Sequence, residues 1–224
     1  MNKCFFVTGT DTGSGKTMVS CSILQKANSL GYVAVGYKPV STGISKKYPS
    51  KNSDISLLKK YSKLKLRDQE ISPVMFFQDT SPHIASKMDR RRINLNDIDI
   101  GLENLRKKAN FIVIEGIGGW YTPLSSQIKL CDWVKLNNFP IILTVSFRIG
   151  CINHALLSIE AIQNSNLRLI GWIANMFSMR DRTQSDYFYS LLHLIPYPCI
   201  GIIPKISNWK VRSIKKFIKS KYII

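Results

Sequence analysis

One stretch constrains this 224-residue chain more than any other: an apolar run, Lys3 to Thr8, then Gly9-Thr10-Asp11-Thr12-Gly13-Ser14-Gly15-Lys16-Thr17, then a helical pattern over Lys16 to Leu30. A strand that ends in a glycine-rich loop and opens a helix is suited to holding an anion. Glycines let successive backbone N–H groups turn inward, and the helix start adds partial positive charge. Lys16 then reaches the outer phosphates of a nucleotide, and the Thr17 hydroxyl faces Mg²⁺. The usual spacing is G-x-x-x-x-G-K-[ST]. Here Thr10 stands at the place of the first glycine and Gly9 lies one residue earlier, so the strand–loop–helix context carries the assignment.

The rest of the chain repeats strand and helix. Gly31 stops the first helix, and Tyr32 to Tyr37 reads as a second strand. Asp54 to Tyr61 reads as a helix capped by Ser53 or Asp54. Val74 to Phe77 is a short apolar run, with a helix from Pro82. Leu95 to Lys108 carries Ile98, Leu102 and Leu105 at helical spacing. Phe111 to Glu115, Pro140 to Val145, Leu167 to Ala174 and Cys199 to Ile203 read as buried strands. Helices begin near Cys151 and span Thr183 to His193. This alternation predicts an α/β fold, a P-loop NTPase-like, mainly parallel sheet with helices on both faces. Ser41 to Ser53 reads as a mobile loop. Residues 1–224 are expected to form one domain, with about 206–224 as a basic tail that periodicity does not place.

Charge raises a different possibility. With 32 Lys+Arg against 14 Asp+Glu, the formal net charge is +18, which suits nucleic acid or a membrane surface. The basic residues are dispersed until the C-terminus, however. A chain rich in Lys, Ile, Asn and Ser also matches surface drift under AT-biased coding, so a nucleic-acid partner is not expected. No apolar run approaches the roughly 18 residues of a membrane span. Met1 to Val7 turns polar too soon for a signal peptide. Five dispersed cysteines form no C-x-x-C pair, which points to a cytoplasmic protein.

Several residues then fall where the sheet's carboxyl edge should lie. Glu115 ends an apolar strand and opens Glu115-Gly116-Ile117-Gly118-Gly119, beside the phosphates by topology. Asp54 is a second candidate metal ligand, with a helix N-cap as its alternative. Lys38 follows strand two directly, placed to neutralise charge on a transferred phosphoryl group. Gly150-Cys151-Ile152-Asn153-His154 opens a helix whose free N–H groups suit a carboxylate. His154 reads as a packing residue and Cys151 as an inert thiol.

Ten ordered segments together resemble the dethiobiotin synthetases. They are 6–12, 15–17, Gly36-Tyr37-Lys38-Pro39-Val40, Asn52-Ser53-Asp54, Thr80-Ser81-Pro82-His83-Ile84, 115–120, Thr122-Pro123-Leu124, Asp132-Trp133-Val134, 150–155 and Gly171-Trp172-Ile173-Ala174-Asn175. The resemblance covers roughly the first 205 residues. It implies Mg-ATP-dependent carboxylation of diaminopelargonate with CO₂, through a carbamate and a carbamic-phosphoric anhydride, with closure of the ureido ring to dethiobiotin, ADP and phosphate.

The resemblance also implies roles. Lys16 and Lys38 would be catalytic, steadying the transferred phosphoryl group. Thr17, Asp54 and Glu115 would hold Mg²⁺. Gly13 to Met18, Glu115 to Gly118, Asn175, Met176 and Pro204, Lys205 and Ile206 would bind ATP, with Asn175 reading the base edge. Thr42 and the Gly150, Cys151, Ile152, Asn153 turn would bind the second substrate, the turn from across a homodimer interface. Two departures stand out. Gly13 replaces an acidic residue of the bacterial members, and Lys205 to Lys210 does not follow the expected pattern beside the base. The alternative is a partition-type P-loop ATPase that binds nucleic acid. Such proteins carry a signature lysine early in the loop, where this chain has Asp11.

Overall fold

The computed structural model describes residues 2–45, 53–176 and 183–223. Strands β1 (Lys3–Gly9), β2 (Ala34–Tyr37), β5 (Phe111–Glu115), β6 (Ile141–Ser146), β7 (Leu169–Asn175) and β8 (Cys199–Ile203) form a six-stranded sheet in the order β2-β5-β1-β6-β7-β8. All five pairings are parallel. Strand runs such as Phe-Ile-Val-Ile-Glu are apolar without alternation because helices cover both faces, and every residue of β5 and β6 is buried. The P-loop NTPase-like parallel architecture expected from the alternation is the one observed.

Helix α1 (Lys16–Ser29) buries Met18, Val19, Cys21, Ile23, Leu24 and Ala27, along with Ser20 and Ser22. A helix buried nearly all round needs a second layer outside the sheet. Helix α2 (Ser53–Tyr61) supplies part of it, and the C-terminal segment supplies the rest. That segment is not a continuous helix. It forms three short 3₁₀ turns, Trp209–Val211, Lys215–Phe217 and Ser220–Tyr222. Ile214, Ile218 and Ile223 are buried, while Lys215 and Lys216 stay exposed. An antiparallel bridge from Ile218 to Gly201 covers the free edge of β8.

A second ladder pairs β3 (Val40–Ser41) with β4 (Val74–Met75) in parallel. It is reinforced by the Ser41 and Ser72 hydroxyls at 2.8 Å and by Gly43 N donating to Gln78 O at 2.9 Å. Periodicity did not announce this ladder, nor the short helices α3 (Asp68–Ile71) and α6 (Leu130–Leu136). The remaining helices are α4 (Pro82–Met88), α5 (Leu95–Arg106), α7 (Cys151–Gln163) and α8 (Gln184–Leu194). The loop expectation for Ser41 to Ser53 falls largely outside the described residues, as does Asn52.

Candidate active site

Register builds the site. Val7 of β1 lies opposite Glu115, and Tyr37 of β2 lies opposite Ile114. Lys38, one residue beyond β2, is therefore carried to Glu115, and both stand beside the loop that leaves β1. The Lys38 ammonium donates to Glu115 Oε1 at 2.8 Å and to Asp54 Oδ2 at 2.8 Å. The Thr17 hydroxyl lies 2.8 Å from Asp54 Oδ1 and 2.8 Å from Glu115 Oε1. Asp54 is thus held in the first turn of α2 with its carboxylate turned to Thr17 and Lys38.

The loop itself is shaped by close contacts. A Cβ on Gly9 would meet Ser14 Oγ at 2.0 Å, which explains a glycine one residue ahead of the usual place. Gly15 caps α1 at φ 93, and a Cβ there would meet Asn175 Nδ2 at 1.9 Å. No side chain among the described residues caps the helix, and its first turn has no acidic residue, so its positive end is left for a ligand. Gly13 has φ +75 with open space around its missing Cβ. A glycine suits that backbone even though a side chain would fit the volume. Lys16 donates to Asp11 O at 3.0 Å and to Gly118 O at 2.6 Å.

Burial and charge set the protonation of these groups. Burial pushes the Lys16 ammonium down to about 8, with Lys38 pushing the same way and Glu115 and Asp54 opposing. Burial also disfavours a charged Lys38, but Glu115 and Asp54 outweigh it and hold the ammonium well above the usual lysine range. Burial would raise Asp54, and Lys38 with Thr17 brings it below its ordinary value. Glu115 is pushed up, burial outweighing Lys38. Its Oε2 is buried with no partner among the described residues.

A cavity of about 600 Å³ collects Gly13, Gly15, Lys16, Thr17, Met18, Lys38, Thr42, Asp54, Glu115, Ile117, Gly118 and Asn175. It does not collect Ser14, Gly116, Met176, Pro204, Lys205, Ile206 or the 150–153 turn. Ser14 is buried behind the loop, and its carbonyl accepts from Asn175 Nδ2 at 2.8 Å. Lys205 and Ile206 line a neighbouring hollow that shares Trp209 and Lys210 with the first. The 150–153 turn opens α7 with Gly150 at φ 88 and no side-chain cap. It is tied to the loop by an ion pair between Arg148 and Asp11. The lining residues that sequence reasoning missed include Leu57, Asp79, Trp209 and Lys210. No sequence signal singles out Trp209, since the tail also carries Phe217 and Tyr222.

These features define a class. A parallel sheet with β1 at its switch point, a glycine-rich loop before a helix, and Lys, Thr and two carboxylates at the strand carboxyl ends make a P-loop nucleotide-binding fold. Solved structures agree on the fold. The septum site-determining protein MinD of Pyrococcus horikoshii, complexed with Mg-ADP, superposes with TM-score 0.59 at 13% identity, over 99% of this chain and 89% of that one. A ParA family ATPase from Chlorobium tepidum gives TM-score 0.57 at 11% identity, over 99% of each. A family model described as an AAA domain matches residues 3–211.

Sequence similarity is more specific than fold. The ATP-dependent dethiobiotin synthetase of Buchnera aphidicola is 43% identical over 217 residues, covering 96% of this chain and 97% of its own length. The corresponding Escherichia coli (strain K12) protein is 41% identical over 225 residues, covering 100% and 98%. The chain belongs to the dethiobiotin synthetase family, ATP-dependent ligases of biotin biosynthesis. The partition-type alternative, matched in fold alone, is not favoured.

Proposed function

We propose that the protein makes dethiobiotin from diaminopelargonate, CO₂ and ATP. CO₂ adds to one substrate amine to give a carbamate. The carbamate oxygen takes the γ-phosphoryl group of ATP, releasing ADP. The second amine attacks the carbamoyl carbon, and phosphate leaves as the ureido ring closes. The observation that most supports this is the convergence of Lys16, Thr17, Lys38, Asp54 and Glu115 on one cavity. Phosphoryl transfer is mainly positioning and electrostatics, so the site needs no nucleophilic side chain.

Lys16 gives up two backbone carbonyls, Asp11 O and Gly118 O, for phosphate oxygens when nucleotide enters. Lys38, charged and anchored on two carboxylates, neutralises the transferred group. The donor set also fits a hard divalent cation. One Thr17 proton cannot satisfy two carboxylate oxygens at 2.8 Å, and Glu115 Oε2 has no partner among the described residues. Thr17, Asp54 and Glu115 would hold Mg²⁺. When bound, the ion would offset negative charge on the phosphate groups.

Gly13 to Met18, Glu115 to Gly118, Asn175, Met176 and 204–206 are the proposed nucleotide contacts, with Asn175 at the base edge. Thr42 is the proposed hydroxyl beside the second substrate. The 150–153 turn lies outside the cavity of its own chain, which supports a carboxylate contact made by a second copy in a homodimer. We take residues 1–224 as one functional unit. We place it in the cytoplasm; no helix among the described residues is long and apolar enough to cross a membrane. The test is direct: purified protein given Mg-ATP, bicarbonate and diaminopelargonate is expected to form dethiobiotin. ATP binding without product would overturn the synthetase assignment.

A further inference from the structure

Four large apolar side chains, Met18, Leu57, Ile117 and Trp209, stand in the otherwise largely polar lining of the cavity. Met18 and Leu57 are 3% and 7% exposed. Trp209, half-buried, comes from the segment that departs from the family pattern. Trp209 opens a 3₁₀ turn immediately after Asn208, which sits at φ 55. The turn is strapped to the two helices that frame the phosphate loop. Lys210 O accepts from Lys60 Nζ and from Tyr61 Oη, each at 2.9 Å. Four residues on, Ile214 N donates to Gln25 Oε1 at 2.8 Å. An indole held in this way on the wall of a polar cavity is a platform for a flat π-system.

Resting on the nucleotide reading above, we propose that Trp209 is the base-stacking wall of the ATP site, packing its indole against the purine ring in the cavity that Met18 and Leu57 also line. This adds a residue deeper in the tail to the proposed contacts at 204–206, of which Lys205 and Ile206 line the hollow that shares Trp209. Stacking rewards the larger ring, so the site should favour purine over pyrimidine nucleotides.

The chain offers its own probe. Of its four tryptophans, Trp120, Trp133 and Trp172 are 4%, 0% and 0% exposed, so Trp209 is the one open to direct ligand contact, and the part of a ligand-induced emission change that Trp209→Phe abolishes reports on it. ADP should quench intrinsic fluorescence, whereas inorganic tripolyphosphate, which has phosphates and no base, should bind without quenching. Trp209→Ala should weaken ADP about tenfold and leave tripolyphosphate affinity unchanged, while Trp209→Phe should keep most of the ADP affinity. Equal weakening of both ligands, or unaltered ADP binding in Trp209→Ala, would overturn the proposal. So would a wild-type protein that binds neither ligand. Failure of the synthetase assignment looks different: ADP still quenches and no dethiobiotin forms.

Discussion

Two walls of the same cavity are built on opposite principles. The wall made by Lys16, Thr17, Lys38, Asp54 and Glu115 hangs from strand ends whose register is fixed by the sheet. Its charged groups are paired to one another inside the protein: Lys38 is 4% exposed and Glu115 is 1%. The wall made by Trp209 and Lys210 belongs to no strand or α-helix. Its outer residues are held by backbone carbonyls reaching side chains of α1 and α2. Chemistry on a phosphoryl group demands charges that do not move, because reorganisation at the moment of reaction is what preorganised sites avoid. Holding a base demands surface and shape, which a strapped turn supplies. The first wall should therefore fail in both activity and stability when altered, and the second in affinity alone.

The sharpest way to break that contrast is Lys38→Met. Turnover should fall on the order of 10²–10³-fold, as when a preorganised donor to a developing charge is lost. The change also strips Glu115 and Asp54 of their shared ammonium. Asp54 keeps some solvent contact, its side chain being 33% exposed, so the cost should be about 3 kcal/mol, the low end for a broken buried pair. The loss has a pH sign. Without Lys38, burial drives Glu115 further above its ordinary value, so the variant is least penalised where that carboxyl is protonated in both states. The penalty grows as pH rises through the folded-state value. Urea unfolding should show a larger deficit at pH 8 than at pH 5.5. A variant as stable as wild type at both pH values would mean that the carboxylates do not need the ammonium.

The two walls also differ in how well the sequence announced them. Strand–loop–helix at Lys3–Ser29 and the apolar runs ending at Tyr37 and Glu115 are local signals, and parallel topology alone brings their ends together. Those signals put Lys38 and Glu115 at the same sheet edge, and the β2–β5 pairing makes them neighbours. Asp54 was ambiguous because an N-cap and a ligand look alike until the neighbouring strand is placed. Trp209 was missed because 3₁₀ turns have no apolar period, and what fixes them is a long-range contact to Lys60 and Tyr61. The β3–β4 ladder was missed for a similar reason. Two residues on each side are too few to show alternation, yet that ladder flanks Thr42 and carries its neighbour Gly43 against Asp79. The basic tail has no period that places it: Lys215 and Lys216 are exposed, and the isoleucines Ile214, Ile218 and Ile223 are core.

A second comparison sharpens the role of charge within the first wall. Lys16 has its ammonium brought down to about 8 in the free protein, whereas Lys38 is held above its ordinary range. Phosphate oxygens would restore Lys16 to full charge, so binding above pH 8 requires uptake of a proton. Nucleotide affinity should be flat from pH 6.5 to 7.5 and fall by up to tenfold per unit above about 8. Calorimetry in buffers of different ionisation enthalpy should register that proton uptake at pH 9. Lys16→Arg, always charged, should remove the slope even if it weakens binding. Affinity independent of pH between 7 and 9.5 in the wild type would place the lysine's proton beyond doubt in the free protein and sink the expectation.

The smallest expected effect tests the strap. Tyr61→Phe removes one of the two donors to Lys210 O, an exchange worth about 0.5–1 kcal/mol for an exposed hydrogen bond. The energy should appear locally, because Lys60 still holds the carbonyl and the buried Ile214 and Ile218 still anchor the segment on both sides of Lys215–Phe217. Hydrogen exchange should quicken about two- to fivefold at Val211 and Arg212, whose amides close the 3₁₀ turn onto Asn208 O and Trp209 O at 3.1 Å. Amides of β1 and β5 should not change. If exchange at Val211 and Arg212 stays at the wild-type rate, the isoleucines alone hold the turn and the strap is incidental. If β1 exchange quickens as well, the tail is coupled to the phosphate loop, and the division between a fixed wall and a strapped wall fails.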